Sequence, residues 1–292
     1  MVTVLVAAGL ASACGERSEP LAKLAQTYPV TVRGAGDAPV SLGKKPKRIV
    51  ALDVGSAELL RALGVGKRLV GAPAESVPDV TEVVRRTGQI DIADVAALHP
   101  DLLVATPTTD QVDVSRAQRE TGAPVYLQPS ATIEDVERAA LELGFLVAEP
   151  VRARHLATRI EQRTTAIDSR LAGVRPVKTF VDTGFFIPAS DESLLGKLIA
   201  RAKGVNVGGE SGDFGPYNLK ALARADPVVY LATSDSGTTL KKLRKDSATR
   251  DLTAVRRGRF VRLETALVAS AGPRVAAAYA RVARALHPDA FR

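Results

Sequence analysis

The amino-acid sequence predicts an α/β protein: two similar α/β lobes with mainly parallel sheets, bridged by one long α-helix. Three observations lead to this fold class. Short apolar runs alternate with amphipathic helical segments along the 292 residues. Residues 92–106 align without a gap with residues 219–233, and one uninterrupted helical pattern lies between the two halves. Alternating strands and helices are typical of parallel sheets that helices cover on both faces.

The first lobe is expected to span residues 28–148. Its strands are predicted from short apolar runs at residues 48–52, 69–72, 101–105 and 125–127. Its helices are predicted at residues 55–64, 92–99 and 132–143, where apolar residues recur at helical spacing. Gly64 and Pro100 stand where two of these helices should end.

A single bridging helix is predicted over residues 149–173. No Gly or Pro interrupts residues 151–172, and Val151, Leu156, Ile160, Ile167 and Leu171 follow helical spacing. At 1.5 Å per residue such a helix would be about 37 Å long. We therefore expect one rigid element between the lobes.

The second lobe is expected over residues 174–292. Strands are predicted at residues 179–182, 228–231 and 259–263, and helices at residues 193–203, 218–224, 240–243 and 274–286. The repeated segment places a helix, a Pro and an apolar strand ending in Ala-Thr in both lobes. Because ligands of α/β sheets bind beyond the carboxyl ends of strands, a cleft between the lobes is the expected site.

The first residues of the chain have the pattern of an export segment. Residues 2–13 carry no charge and precede Cys14, which is the only cysteine. This apolar stretch is too short to span a bilayer and ends in small residues, as signal peptides do. We expect a signal peptide at residues 1–13, a lipid on Cys14, a linker at residues 14–27, and anchoring to the outer face of the cell membrane.

Charge is distributed unevenly between the two halves. Residues 1–150 carry a net charge of −4, whereas residues 151–292 carry +12. A basic half attracts an anionic ligand or surface, although a solvated basic face is the alternative. Aromatic residues make up only 4% of the chain, with no Trp and no nucleic-acid motif, so no nucleic-acid partner is expected.

Signatures of catalysis and of metal binding are missing from the sequence. No GxGxxG follows a predicted strand, and neither GxxxxGK[ST] nor GxSxG occurs. His99, His155 and His287 are scattered, which is unlike a metal site. We expect no enzymatic activity, no cofactor and no resident metal.

Six segments, taken in order, resemble one known family. They are residues 45–52 leading to 58–64, then residues 69–71, 97–103, 204–207, 251–261 and 272–274. Together they are similar to periplasmic substrate-binding proteins, often lipoproteins, of ABC importers for ferric siderophores, haem and cobalamin. The resemblance implies two lobes joined by a backbone helix, a ligand held in a shallow groove between them, and delivery of that ligand to an ABC permease.

The resemblance also implies two docking carboxylates that this chain lacks. The family carries a Glu seven residues before the Pro of each repeat, and these positions are Ala93 and Lys220 here. Neighbouring acids are the candidates for permease docking: Asp91, Asp94, Glu210 and Asp213. A Lys facing a basic pocket on a permease would be repelled, so the coupling to a permease is less well supported than ligand binding.

Ligand contacts are expected from residues that come after the strands of both lobes. These candidates are Asp53, Ser56, Thr87, Thr106, Thr108, Phe185, Phe186, Phe214, Tyr217, Thr233 and Arg274. Phe185 and Phe186 fit either the groove or the core. Phe214 lies in a Gly/Pro-bounded loop where the resemblance implies an aromatic wall. Arg274 opens the last helix and suits a charge-assisted contact with an anionic group.

These observations predict a monomeric solute-binding lipoprotein that captures an iron chelate, a ferric siderophore, in the groove. Cobalamin and haem are the alternative ligands. A ligand-binding lipoprotein without a permease and, from a different class, a two-lobed α/β transferase remain open as alternative functions.

Overall fold

The computed structural model describes residues 27–74, 76–211 and 215–292. The expected signal peptide, Cys14, and the candidates Asp213 and Phe214 lie outside these ranges. Within them, β1 (Val30–Arg33) and β2 (Pro39–Leu42) form an antiparallel hairpin ahead of the first sheet. No helix of the described part combines the length and the apolar character needed to cross a bilayer.

The first lobe is built on a parallel sheet with the order β5-β4-β3-β6-β7. Its strands are β3 (Ile49–Ala51), β4 (Leu69–Pro73), β5 (Thr81–Val84), β6 (Leu102–Ala105) and β7 (Val125–Leu127). Its helices are α1 (Val54–Ala62), α2 (Ile92–Ala97), α3 (Gln111–Thr121) and α4 (Ile133–Leu146). Separate apolar clusters pack on the two faces of this sheet, one around Leu60 and Leu143 and the other around Val95 and Val114. Burial on both faces explains why the central strands are continuous apolar runs.

The bridging helix α5 runs over Pro150–Arg170 and packs against α4 of the first lobe and the last helix of the second. Its proline occupies the first turn, where a missing N–H costs nothing. The buried stripe of Ala153, Leu156, Ile160 and Ile167 faces the core. The helix ends three residues before the predicted limit because the chain turns there, with Gly173 at φ +72°.

The second lobe holds a sheet with the order β10-β8-β11-β12, to which β9 adds an antiparallel pair with β8. Its strands are β8 (Val177–Gly184), β9 (Ile187–Pro188), β10 (Gly204–Asn206), β11 (Val229–Thr233) and β12 (Phe260–Leu263). Its helices are α6 (Leu194–Arg201), α7 (Leu219–Ala225), α8 (Leu240–Lys245), α9 (Thr253–Arg256), α10 (Thr265–Val268) and α11 (Val275–Leu286). The predicted fold class, two α/β lobes bridged by a long helix, is confirmed.

The sequence repeat is also a structural repeat. Asp91 and Asn218, at equivalent positions, cap α2 and α7 with their side chains. His99 and Asp226 both stand just before the repeated Pro, and each has φ +43°. A left-handed residue followed by Pro stops the helix and turns the chain into the next strand in both lobes.

A polar network ties both lobes to the bridging helix. Arg201 of α6 donates to Glu134 of α4 and to Asp168 of α5, with 2.9 Å between its Nη2 and Asp168 Oδ2. Tyr279 of α11 donates its hydroxyl to the same Asp168 carboxylate. Partial burial alone would raise the pKa of Asp168, but the bonds from Arg201 and Tyr279 hold that pKa below its usual range. The network therefore joins four helices through the Arg201 guanidinium and the carboxylates of Glu134 and Asp168.

Candidate ligand-binding groove

The two lobes meet at the carboxyl ends of their sheets. Gln128, which comes directly after β7, donates through Nε2 to the carbonyl oxygen of Ala271 at 2.6 Å. Gly55 in the first turn of α1 lies so close to Ala271 that a Cβ there would stand 2.9 Å from the same oxygen. We call the carboxyl ends of both sheets, with the turns after them, the interlobe edge. This is where α/β sheets place ligands.

An ion pair crosses the interlobe edge next to this contact. Arg274 Nη2 lies 2.6 Å from Glu58 Oε1, and Arg274 Nε lies 3.3 Å from Glu58 Oε2. The hydrogen bonds to Glu58 raise the pKa of Arg274 further. Arg274 stands at the start of α11 as predicted from the sequence, and its side chain is 43% exposed. Its charge is thus already partnered, which the sequence did not indicate.

Asp53 and Ser56 start helix α1. Ser56 donates its backbone N–H to Asp53 Oδ1 at 2.9 Å and its hydroxyl to Asp53 Oδ2 at 2.6 Å. Burial raises the pKa of Asp53, while hydrogen bonds from Ser56 and from the backbone of Gly55 and Thr106 oppose that rise. Ser56 itself is fully buried. The structure therefore assigns this pair to capping α1, and a ligand contact by either residue stays a prediction.

The threonines after β6 bond mainly to one another. Thr106 is buried, and its Oγ1 lies 3.0 Å from Thr108 Oγ1 and 3.2 Å from Thr109 Oγ1. Thr108 is exposed at the loop surface, as is Thr87 in the turn after β5. Of the polar candidates in the first lobe, Thr87 and Thr108 are thus the ones that present exposed side chains.

The second lobe presents an aromatic turn at the same edge. Strands β8 and β9 pair Gly184 with Ile187, which leaves Phe185 and Phe186 as a two-residue hairpin turn. Both phenylalanines have positive φ, +52° and +62°, as a type I′ turn requires. Asn and Gly are the usual residues there, because a left-handed backbone costs a bulky residue about 1–2 kcal/mol. Phe185 is nevertheless 83% exposed.

A buried carboxylate holds this strained turn in place. Asp182 Oδ1 accepts the backbone N–H groups of Gly184 and Phe186 at 2.9 and 3.0 Å. Its Oδ2 accepts the hydroxyls of Tyr230 at 2.8 Å and of Thr238 at 2.6 Å. Asp182 is fully buried, so these four donors replace its hydration. A strained turn fixed this firmly is typical of a functional site.

The remaining aromatic candidates pack beneath the turn. Phe186 and Tyr217 are partly buried against the core cluster of the second lobe, and Tyr217 lies 5.9 Å from the Phe180 ring. The backbone N–H of Tyr217 donates to the carbonyl of Phe186 at 2.9 Å. Phe185 is therefore the exposed member of the Phe-Phe pair, and Phe186 belongs to the core side. Thr233 is buried and donates to the Thr183 carbonyl at 3.3 Å.

Tyr217 also lines a cavity of 560 Å³ beside β10, away from the interlobe contact. Asn206 lines the same cavity, and its Nδ2 donates to Ala189 and to Asp191. Its Oδ1 is buried and has no partner within the described ranges. Glu210, a docking candidate, stands at the rim of this cavity as an exposed residue.

The docking candidates differ in how free their charges are. Asp91 caps α2 and pairs with Arg85 at 3.2 Å, and the capping bond from the Asp94 N–H lowers the pKa of Asp91. Asp94 is exposed on α2 next to Ala93, and Lys220 is exposed on α7. Their role in docking stays a prediction.

Sequence reasoning missed three residues at this edge: Asp182, Glu58 and Gln128. Asp182 left one trace, because it is the only acid inside the apolar run of β8. Glu58 and Gln128 left none, since their partners lie 216 and 143 residues away in the chain. Among the described residues, no three His, Cys, Asp or Glu side chains come together as a metal site.

Comparison with known proteins identifies the family. The sequence pattern described as "Periplasmic binding protein" matches residues 49–267. An uncharacterized ABC transporter substrate-binding lipoprotein of Bacillus subtilis is 20% identical over 99% of this chain and 96% of its own length. A cobalamin-binding protein of Halobacterium salinarum is 25% identical over 89% of this chain and 75% of its own length.

Solved structures agree on the fold. The periplasmic vitamin B12 binding protein BtuF of Vibrio cholerae superposes with a TM-score of 0.73 at 19% identity, covering 85% of this chain and 98% of that one. The family pattern spans most of both lobes and the bridging helix, and it describes binding proteins rather than enzymes. This chain is therefore a member of the periplasmic binding protein family.

Proposed function

We propose that this chain is the solute-binding component of an ABC importer and that it captures an iron chelate, a ferric siderophore, at the interlobe edge. The observation that carries this proposal is the Phe185 turn. At a position with positive φ, a residue such as Asn or Gly would stabilise the fold better than Phe does. The exposed aromatic ring therefore does not serve folding. Contact with a large ligand that covers the Phe185 ring explains why Phe occupies this position.

The chemistry of the edge suits binding without reaction. Asp53, Ser56 and Thr106 are engaged with one another and with the backbone, so none is poised as a nucleophile or base. Covering a phenylalanine side chain contributes about 1.5–3 kcal/mol to affinity. Arg274, although paired, is partly exposed and can share its charge with an anionic group of the ligand.

Preorganisation supports the same function. The bond from Gln128 to Ala271, the ion pair between Glu58 and Arg274, and the Arg201 network hold the lobes before any ligand arrives. A site that is already ordered does not lose free energy to ordering when the ligand binds. The lobes are then expected to change their separation little on binding.

Cobalamin is the second candidate ligand, and one structural observation favours it. The Glu58 carboxylate compensates the Arg274 charge, so the edge is less cationic than the sequence predicted. The names of the Halobacterium and Vibrio proteins point the same way, toward a ligand with little net charge.

Delivery to a permease and anchoring to the membrane belong to the same proposal. Asp94 and Glu210 carry exposed carboxylates and are the proposed contacts with basic residues of a permease, one on each lobe. Cys14 is the proposed lipid site, as the lipoprotein description of the Bacillus relative suggests. Metabolic labelling with a fatty acid should mark the chain and should not mark Cys14→Ser.

Ligand identity is tested by titrating the chain with a ferric catecholate siderophore, haemin and cyanocobalamin. We expect saturable binding of the anionic ferric siderophore. Arg274→Gln should weaken it by about 10- to 150-fold, the equivalent of a charge-assisted contact of about 1.5–3 kcal/mol.

The matched control is Glu58→Gln, which breaks the same ion pair but leaves the Arg274 charge. If Arg274 contacts the ligand, Glu58→Gln retains or improves affinity. Equal losses in both variants would assign the pair to holding the lobes together. Saturation by cyanocobalamin alone would replace the iron chelate with the second candidate.

A further inference from the structure

The outer surface of the second lobe carries a dense group of cations. Residues 237–259, which include α8 and α9, contain eight Lys and Arg but only two Asp. Seven of these cations are exposed: Lys241, Lys242, Arg244, Lys245, Arg250, Arg256 and Arg257. We call these seven residues the α8–α9 basic surface.

Most of these cations are not compensated by nearby carboxylates. Within the described ranges, only one of the seven residues forms an ion pair. This residue is Arg250, whose Nε lies 3.6 Å from Asp251 Oδ2. Lys242 donates to the carbonyl oxygen of Gly237 instead. Surfaces that only interact with water usually mix both signs of charge, because like charges repel. A net charge of +6 over 23 residues is thus a feature that a partner can use.

The cations form one continuous surface rather than a string of separate side chains. Leu243 of α8 and Val255 of α9 are buried in the same apolar cluster, which fixes the two helices side by side. The Nη2 atom of Arg244 lies 3.8 Å from the position that a Cβ on Gly258 would take. The Arg244 guanidinium therefore lies next to the turn after α9, where Arg257 is exposed.

A recess adjoins this surface at the amino ends of the strands. It is a cavity of 610 Å³ lined by Arg170, Arg257 and Arg259 together with the buried His287. Its one acidic lining residue, Asp289, is paired with Arg292 at 3.0 Å. Arg257 belongs both to the recess and to the basic surface. A basic surface beside a basic recess suits an array of anionic headgroups, some of which reach inward.

We propose that the α8–α9 basic surface binds the anionic phospholipid headgroups of the cell membrane. A membrane is favoured over nucleic acid because residues 237–259 contain no aromatic side chain on which bases could stack. The family is that of periplasmic binding proteins, so the phospholipid headgroups of the cell membrane are a polyanion within reach. The contact would hold the second lobe against the bilayer independently of any lipid on Cys14.

The test measures co-sedimentation with vesicles of phosphatidylcholine alone and of phosphatidylcholine mixed with phosphatidylglycerol. All variants are the mature chain from residue 14 with Cys14→Ser, so that neither the apolar residues 1–13 nor an attached lipid contributes. Binding to the anionic vesicles should exceed binding to the neutral ones and should fall as salt rises, because salt screens surface charge. Each Lys or Arg near such a surface contributes roughly fivefold in affinity.

The variant is Lys241→Gln, Arg244→Gln and Lys245→Gln combined, which are exposed changes on α8. It should lower the affinity for anionic vesicles by about 100-fold, because three such contributions are lost. The matched control is Arg154→Gln, Arg159→Gln and Arg163→Gln combined, which removes the same charge from exposed positions of α5. The control should bind nearly as the unmodified chain does.

Three results would overturn the proposal. They are equal binding to neutral and anionic vesicles, equal losses in the α8 variant and the α5 control, and tighter binding to a DNA duplex than to anionic vesicles. None of them bears on the proposed solute, since siderophore or cobalamin binding is measured separately at the interlobe edge.

Discussion

The two lobes share a repeat but differ in the turn after the first strand of each parallel sheet. Both contain a capped helix, a residue at φ +43° before Pro, and a strand that ends at or just before a buried threonine. The repeated strands are β6 and β11. One neighbour of β6 is β3, and the equivalent neighbour of β11 is β8. Strand β3 leads straight into α1 through the Asp53 cap, whereas β8 leads into the Phe185–Phe186 turn.

This difference separates the parts of each lobe that stabilise the fold from the part that forms the candidate site. The repeated parts satisfy their own backbone and bury apolar side chains, so either lobe needs them to fold. The Phe185–Phe186 turn is not stabilised by its own residues. It requires the buried Asp182 carboxylate to keep two phenylalanines in a left-handed backbone. The unrepeated part is therefore where function is expected.

The largest expected effect compares the two carboxylates. Asp182→Ala leaves four donors without an acceptor, the buried Tyr230 hydroxyl and three partly buried groups, and should lower the free energy of unfolding by about 4 kcal/mol. Asp53→Ala removes a helix cap and should cost about 1 kcal/mol. Urea unfolding measures both. Asp182→Asn, which keeps one oxygen, should lie between them, and equal costs for the two alanine variants would break the comparison.

The second prediction concerns Phe185. Phe185→Asn should weaken binding of the ligand found in the titrations by about 10- to 100-fold, since a covered aromatic ring is lost. The same change should stabilise the fold by about 0.5–1 kcal/mol, because Asn tolerates positive φ. Phe145→Asn alters another exposed phenylalanine, on α4, and serves as the control. Unchanged affinity in Phe185→Asn would show that the Phe185 ring does not contact the ligand.

The third prediction uses pH to probe the second lobe. Burial lowers the pKa of His287, whose Nε2 lies 2.9 Å from the Ala202 carbonyl oxygen. The unfolded chain therefore takes up a proton before the folded one does, and stability falls as pH drops below about 6.5. Unfolding midpoints of the chain and of His287→Gln should converge between neutral and mildly acid pH. A constant difference would show that His287 does not titrate on unfolding.

The smallest expected effect is on the separation of the lobes. The bridging helix has no Gly or Pro after its first residue, and the Arg201 network clamps it to both lobes. Solution scattering should show nearly the same radius of gyration with and without ligand. A contraction of several Å in the chain itself would contradict a rigid bridge. Arg201→Ala, which releases the clamp, is the variant in which such a contraction could appear.

The sequence by itself determined the elements that bury apolar surface. Strands such as β6 and β11 and helices such as α4 and α5 were predicted to within a few residues, because burial imposes a readable period on them. Edge strand β5 was missed because Thr81 and Glu82 are exposed, and α3 because only Val114 and Ala117 along it are buried. An element that buries little carries little periodic pattern.

Only the tertiary structure decided how the candidate residues are used. Arg274 was correctly placed at the start of a helix, but its pairing with Glu58 joins residues 216 positions apart, and no local pattern encodes such a distance. Phe185 and Phe186 are identical in the sequence and adjacent. One is exposed and one packs on the core because the β8–β9 register and the Asp182 carboxylate set the direction of the turn, and both are properties of the folded chain.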